Sequence, residues 1–456
     1  MQICSLFIFI YLLTNAHAHS QAIMRTYVTL ESQATTKLIE TFDVVEEDRK
    51  TFERSHPGIA VIQGVVDRID ENKQCVYVVD GKGSRRMLRY QKLCVCSGAS
   101  PLRVHPLCVT IRDTDSVKDL GMTLKDKVKC VAIVGNGAIA MELVQSLRGS
   151  NLDIVWCIRD DFICNTMLDV NASMFFMKKL DRVIRSEDSK EEDLDAFVKR
   201  TIIKEDEEKE DEENPLGSGV GPSWRNIFSN ILDSNTKKDT CTIRLETRVS
   251  VENIVMSSDD KRIVTLSNGH KHECDLVISA IGVTPNTKLF QDLNVRGCSS
   301  HFFILRHSSN KKNITVTHTM IKSLENQHSN TQVRYSDQGG VEVDAQMRVL
   351  SSKSTKAFEA IYAAGDVTCV NPQLMLDDED MEMRTWFQMR LWSQARLQGM
   401  YAARCMCGEI DELTLGGGLM FDCFSHTTSF FGYKVVLLGL YNGQTLGHEY
   451  SRAVQR

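Results

Sequence analysis

The stretch VAIVGNGAIAMEL, residues 131–143, runs an apolar strand into a glycine turn and on into an amphipathic helix. In that pattern Gly135 permits the tight turn and Gly137 lets the backbone approach a pyrophosphate. Ala140 allows the helix to pack close to its strand, and the helix N-terminus offers its amides to the anion. This is the chemistry of a dinucleotide site, with a structural βα turn as the alternative. About twenty residues further on, an acidic side chain favours the ribose of NAD, whereas an Arg accommodates a 2′-phosphate. The count lands on Ile158, followed by Arg159 and Asp160. Arg159 therefore tips the expectation towards NADPH or use of both nucleotides, or it is an exposed cation at a strand end.

Three further strand ends carry glycine turns: CSGASP (96–101), SAIGVTPN (279–286) and IYAAGDV (361–367). The glycines, Gly98, Gly282 and Gly365, allow close backbone passage. Asp366 is placed where a carboxylate can accept hydrogen bonds from a polyol. No acid–base pair emerges, so no catalytic side chain is assigned, and His426 in FSHTTSFF reads as a packed histidine. The fifteen cysteines fall without CxxC…CxxC spacing, so no metal site is expected and reduced, mostly buried thiols are. The close pairs Cys94/Cys96 and Cys405/Cys407 read as core residues poorly placed to bridge.

The elements that must hold these turns follow from periodicity. Residues 58–101 alternate with period two and break at glycines, which predicts a meander feeding one buried strand, 93–96. A helix opens at Asp113 or Thr114. The strand at Val131, its helix to about Arg148 and a strand over 153–159 form a βαβ unit. Strand patterns return at 241–256 and 274–286, then at 339–349 and 361–367, and a helix is predicted from Trp386 to Cys407. Residues 186–214, acidic and of low complexity, predict a solvated insert. Residues 298–335 are polar and aperiodic.

The composition of the 456-residue chain, 42% hydrophobic and 25% charged, is that of an ordinary globular protein with two or three domains. A net charge of −6 gives no electrostatic support for nucleic-acid binding, and no stretch has the length and apolarity of a membrane span. The start, MQICSLFIFIYLLTNAHAHS, has the apolar run and the Ala16-His17-Ala18 site of a secretory signal, without a preceding Lys or Arg.

The strand ends, in this order around a central GxGxxA unit, resemble the pyridine nucleotide-disulfide oxidoreductase family of FAD flavoproteins over residues 21–441. The resemblance implies an α/β fold of two interleaved Rossmann-like dinucleotide-binding domains. Residues 21–120 would form the first part of the FAD domain and 121–285 the NAD(P) domain. Residues 286–410 would complete the FAD domain, and 411–456 would be a truncated interface domain. It implies FAD beside Ser97, Gly98, Ala99, Gly282, Gly365, Asp366, Gln394 and Ala395. NAD(P)H would lie on Gly135, Gly137, Ala140, Glu142 and Arg159, with Glu142 beside the nicotinamide.

The activity implied is hydride acceptance from NAD(P)H by FAD, in protection against oxidative stress, with oxygen, a quinone or a protein as acceptor. The alternative is a weakly catalytic or non-catalytic NAD(P)-binding sensor. A tRNA ligase complex is the implied partner, with no direct nucleic-acid or membrane contact, in nucleus and cytoplasm. A genuine leader would instead imply the secretory pathway. The sequence departs from the family pattern in lacking a first GxGxxG and a CxxC dithiol and in carrying a patch, 298–335, without a counterpart in the family, and residues 1–20 read as a signal-like or spurious leader.

Overall fold

A computed structural model describes residues 10–14, 21–27, 41–47, 49–125, 128–148, 152–185, 242–291, 293, 333–334, 336, 339–352, 357–370, 389–409, 425–430 and 433–438. The acidic insert 186–214 and most of 298–335 lie outside the described residues, as do much of the leader and of 411–456. The architecture is α/β with mixed sheets.

One sheet is wholly parallel, in the order Ile243–Glu246, Asp153–Cys157, Cys130–Val134, Leu276–Ser279. Its central strand is an unbroken apolar run because both faces are covered. Val131 and Ile133 pack towards the helices Thr114–Lys125, Ala138–Leu147 and Val170–Arg185. Ala132 and Val134 face a three-stranded antiparallel sheet, Val251–Met256, Arg262–Leu266 and Lys271–Cys274. The Thr114–Lys125 helix opens where its sequence allows. Asp113 Oδ1 accepts from the Ser116 amide at 2.9 Å, and Ser116 Oγ accepts from the Asp113 amide at 2.9 Å.

The second sheet has five strands in the order Thr368–Val370, Val341–Val343, Arg348–Leu350, Ala357–Ala363, Leu93–Val95. The outer pairs are parallel and the inner ones antiparallel. Its core is closed by Tyr401, Ala402 and Cys405 of the Trp392–Cys407 helix. The meander predicted over 58–101 is present as Val65–Asp70, Cys75–Val79 and Arg85–Arg89, which feed the Leu93–Val95 strand.

Two expectations shift. The last helix begins at Trp392, not at Trp386, which lies outside the described residues; Leu391 is extended (φ −118°, ψ 154°). Just before it, the Arg390 guanidinium donates to the carbonyls of Asp366 and Gly339, in two turns beside the five-stranded sheet. The irregular insert 298–335 ends earlier than the sequence implies. Val333 is buried and bridged to Ser351, and the Arg334 amide donates to Leu350 O at 2.9 Å. Within the segment read as a leader, Ile10–Thr14 form a strand parallel to Ile59–Gln63; beyond it, Gln21–Tyr27 pair with Thr41–Glu47.

Candidate functional site

The Cys130–Val134 strand delivers Gly135 to a position only glycine can hold. Its φ is +141°, and a Cβ there would lie 2.1 Å from the carbonyl oxygen of Ala280, at the end of the neighbouring strand. The turn is pinned from both sides. The Gly135 amide donates to Cys157 O at 3.0 Å, and buried Trp156 Nε1 donates to Gly135 O at 2.9 Å. Gly137 is different: a Cβ would meet nothing within 4 Å, so open space lies in front of it, and the helix it starts has no side-chain cap. Its first-turn amides are thus presented as an anion seat. Ala140 is fully buried against the strand, as its spacing implies.

Glu142 is also buried, 2% exposed, on the core side of this helix. Its charge adds to burial in raising the Cys164 thiol. Arg159 is exposed, and among the described residues no hydrogen bond or ion pair holds it. The neighbouring acid, Asp160, is held by Asn136 Nδ2 at 2.7 Å. Asn136 also donates to Phe162 O at 2.9 Å and accepts from the Cys164 amide at 2.5 Å. The middle residue of GNG thereby ties the first glycine turn to residues 160–164. The signal for it was its position between two glycines.

The other glycine turns converge. Leu93–Val95 runs parallel to the end of Ala357–Ala363, and the Ala364 amide donates to Val95 O at 3.2 Å. Ser97–Gly98 and Gly365–Asp366 therefore leave the same sheet edge side by side. Ala99–Pro101 pairs with Val283–Pro285, which brings Gly282 alongside, and Leu102 N donates to Gly282 O at 3.0 Å. Asn286 locks this corner. It donates Nδ2 to Ser97 O at 2.9 Å, its own carbonyl accepts from Ser97 Oγ at 2.8 Å, and its amide donates to Gly98 O at 2.9 Å. Gly98 and Gly282 both have positive φ and open space where a Cβ would be.

Gly365 (φ +78°) would bring a Cβ to 3.5 Å from that of Ala395, so the helix approaches this turn as expected. The helix residue bonded to the turn, however, is Gln398, one helical turn beyond Gln394. Buried Gln398 Oε1 accepts from the Gly365 amide at 2.8 Å and from Thr368 Oγ1 at 2.9 Å. Gln394 is buried as well, 3% exposed. Arg390 joins two loops, donating Nε to Asp366 O at 3.1 Å and Nη2 to Gly339 O at 3.0 Å. Burial pushes the Asp366 carboxyl above its ordinary range, and the Arg390 charge opposes this only in part. Among the described residues no hydrogen bond reaches its carboxylate oxygens. A partly desolvated, unbonded carboxylate at a glycine-lined edge suits a ligand rich in hydroxyls.

One short segment links the two groups of turns. Ala280 packs on Gly135 and donates to Val134 O at 2.7 Å, and two residues later Gly282 meets Leu102. Every turn residue singled out in the sequence thus belongs to one of two linked edges, with Arg159 exposed beside the first. Asn136, Asn286, Arg390 and Gln398 were missed.

The thiols also differ from expectation in two respects: Cys96 and Cys407, read as core residues, are exposed, and the pairing is not confined to the close pairs. Cys94 and Cys96 do lie together, Sγ to Sγ 3.6 Å, but a second pair, Cys130 and Cys274, lies at the same distance across two sheets. In each pair the hydrogen bond between the thiols lowers one, Cys96 or Cys130, and raises the other. The absence of expected metal ligands meets a different finding: Glu246, His270 and His272 place their ligand atoms within 4.8 Å of one another. Burial pushes the Glu246 carboxyl up, but the hydrogen bonds from His270 and Asn268 and the imidazole charges outweigh it and hold it below its usual range.

The residues fit a flavin and a nicotinamide nucleotide at these edges. The stretch after Thr14, Asn15-Ala16-His17, contains no glycine and lies outside the described residues.

Glycine turns at the carboxyl edges of two sheets, linked through one segment, define an oxidoreductase of flavin type, a class that uses flavin and nicotinamide cofactors. The chain belongs to the pyridine nucleotide-disulphide oxidoreductase family, whose model matches residues 8–185, beginning inside the segment read as a leader. It is 31% identical over 449 residues to the mouse (Mus musculus) pyridine nucleotide-disulfide oxidoreductase domain-containing protein 1, covering 91% of this chain and 76% of that one. The Drosophila melanogaster protein of the same name is 30% identical over 431 residues, covering 92% and 76%. Among solved structures, a NAD-dependent persulfide reductase from A. fulgidus shares the fold, with a TM-score of 0.52 at 17% identity. That alignment covers 86% of this chain, which spans only 52% of the reductase.

Proposed function

We infer that the chain is an FAD-dependent oxidoreductase that takes hydride from NAD(P)H and works without an internal CxxC dithiol. In this reading the two cofactor domains interleave, with residues 121–285 holding the nicotinamide nucleotide and the segments 21–120 and 286–410 holding FAD. The bound flavin would supply the hydride acceptor and the nicotinamide nucleotide the hydride. The protein's task is then to bind and orient two rings. Gly137 and the helix behind it would seat the nicotinamide nucleotide's pyrophosphate, and Ser97, Gly98 and Gly282 would line the flavin. Asp366 would accept hydrogen bonds from the ribityl hydroxyls, and Gln398 and Arg390 would keep the Gly365 turn in place. Protection against oxidative stress, in nucleus and cytoplasm beside a tRNA ligase complex, is the physiological role proposed.

The observation that carries the reading is the parallel pairing of Leu93–Val95 with Ile361–Ala363, which puts the CSG and AGD turns on one edge. The test is the visible spectrum of the purified full chain, followed by anaerobic addition of NADH or NADPH. A yellow protein that bleaches is expected. A colourless chain that still binds NAD(P)H would sink the enzyme and leave the nucleotide-binding sensor, an alternative favoured by the missing glycines after Thr14.

A further inference from the structure

One strand beyond the strand that pins the Gly135 turn, three side chains that the hydride reaction does not use converge between two sheets. Glu246 ends the Ile243–Glu246 strand and is the register partner of Cys157, so it shares the face of Cys157, which packs against the three-stranded sheet. His270 and His272 come from that sheet, at the Asn268-Gly269 turn between Arg262–Leu266 and Lys271–Cys274. Two residues apart on an extended segment, they reach the same carboxylate. His272 Nε2 lies 2.9 Å from Glu246 Oε1, and His270 Nδ1 lies 3.1 Å from Oε2 and 3.2 Å from Oε1.

These separations are close to the edges of a coordination tetrahedron. Ligand bonds of about 2.0–2.2 Å, the range for imidazole and carboxylate on zinc, give edges of about 3.3–3.6 Å. Along the two imidazole–carboxylate edges an ion requires the donor atoms to move apart by only a few tenths of an ångström, and the third edge, between the two imidazole nitrogens, lies within 4.8 Å.

Two groups in the cluster compete for one ring nitrogen. Asn268 Nδ2 lies 3.1 Å from His270 Nδ1, the same nitrogen that faces the carboxylate. One ring nitrogen can donate to the carboxylate or accept from the amide, but not both. The amide cannot simply turn over, because Asn268 Oδ1 already accepts from the His270 backbone at 3.0 Å. Without an ion Nδ1 donates to the carboxylate while Asn268 Nδ2 donates to Glu246 Oε2, 3.3 Å away; a cation on Nδ1 replaces the first bond and leaves the second in place.

Burial is graded across the set. The His272 and Glu246 side chains are 7% and 12% exposed, whereas His270 is 61% exposed. Two ligands thus form an inner wall and the third stands at the solvent side, which gives an ion a way in and leaves a fourth position for water. Two imidazoles and a carboxylate select borderline cations of the zinc, cobalt and nickel class over magnesium or calcium, which want oxygen throughout.

We propose that Glu246, His270 and His272 form a binding site for a zinc-class divalent cation, with three protein ligands and one position open to solvent. The ion ties the Asn268 hairpin to the end of the Ile243–Glu246 strand. Glu246 O accepts from the Ile158 amide at 2.9 Å, so the tie lies next to residues 158–160. The site stands independently of the flavin reading.

The test uses the full chain stripped with a chelator, titrated with Zn²⁺ alone by calorimetry and with Co²⁺ alone by absorption. Thiols are a competing sink in a chain of fifteen cysteines, and the cobalt spectrum tells them apart. One site per chain is expected, with ligand-field bands and no thiolate charge-transfer band, and Zn²⁺ should raise the melting temperature. His270→Ala and His270→Gln, both at an exposed position, should weaken binding at least tenfold and abolish the thermal shift without altering the metal-free melting temperature. Lys271→Ala should bind as wild type. Absence of binding, binding undiminished in both His270 variants, or a thiolate charge-transfer band in the cobalt protein would overturn the proposal.

Discussion

Replacing Gly135 and Gly137 one at a time by alanine separates what two glycines of one turn do. At Gly135 the new Cβ starts 2.1 Å from Ala280 O, and the opposing atom is backbone, which cannot rotate away. The positive φ adds strain of about 1–3 kcal/mol for a non-glycine residue. Relieving the clash means pulling the turn from the Leu276–Ser279 strand end. That puts at risk the Ala280-to-Val134 bond (2.7 Å) and the Trp156-to-Gly135 bond (2.9 Å). Each such hydrogen bond contributes about 1 kcal/mol net. The sum, about 3–5 kcal/mol, corresponds to a fall in Tm of roughly 10 °C for a domain of this size.

At Gly137 the backbone is ordinary (φ −92°) and a Cβ meets no protein atom. Gly137→Ala should therefore melt with wild type. Its methyl group would nevertheless occupy the space where a pyrophosphate approaches, and NAD(P)H affinity should fall about tenfold or more, equivalent to about 1.4 kcal/mol. Thermal melts and NAD(P)H fluorescence titrations on the same three preparations check both halves. A Gly135→Ala protein as stable as wild type would refute the packing argument. A Gly137→Ala protein with undiminished affinity would refute the anion seat.

Asp366→Asn should lose flavin while stabilising the apoprotein. Because burial raises the folded carboxyl pKa above its ordinary value near 3.8, the folded state holds a proton that the unfolded chain has released. The ionised group therefore costs stability as pH rises from the ordinary value through the raised one, and the cost persists at neutrality. Melts of apoprotein should show the variant ahead at pH 7 and the gap closing as the pH falls through that window; a constant gap would contradict the burial argument. Gln398→Leu leaves the Gly365 amide without its acceptor, while the Thr368 hydroxyl keeps Gly365 O at 2.8 Å, and denaturant midpoints should report a loss of about 1–3 kcal/mol with impaired flavin retention. Trp156→Phe keeps most of the packing but orphans Gly135 O, and the same measurement should show about 1–3 kcal/mol.

The turns were legible in the sequence because their chemistry is local. A strand, a glycine that must take positive φ and a helix start follow one another within a dozen residues, so GNGAIA and the meander before Leu93 read correctly from order and periodicity. The resemblance to the family was drawn from the same local motifs taken in order. Tertiary structure decided which side chains hold those turns to one another. Arg390 reaches Asp366 and Gly339, 24 and 51 residues away, and Asn286 reaches Ser97 across 189. Glu246 meets His270 and His272 at separations of 24 and 26 residues, with no ligand spacing to announce it. Backbone conformation is set by neighbours along the chain, whereas a hydrogen bond or a ligand set needs only nearness in space. That nearness exists only once the strands have taken their places in the sheets.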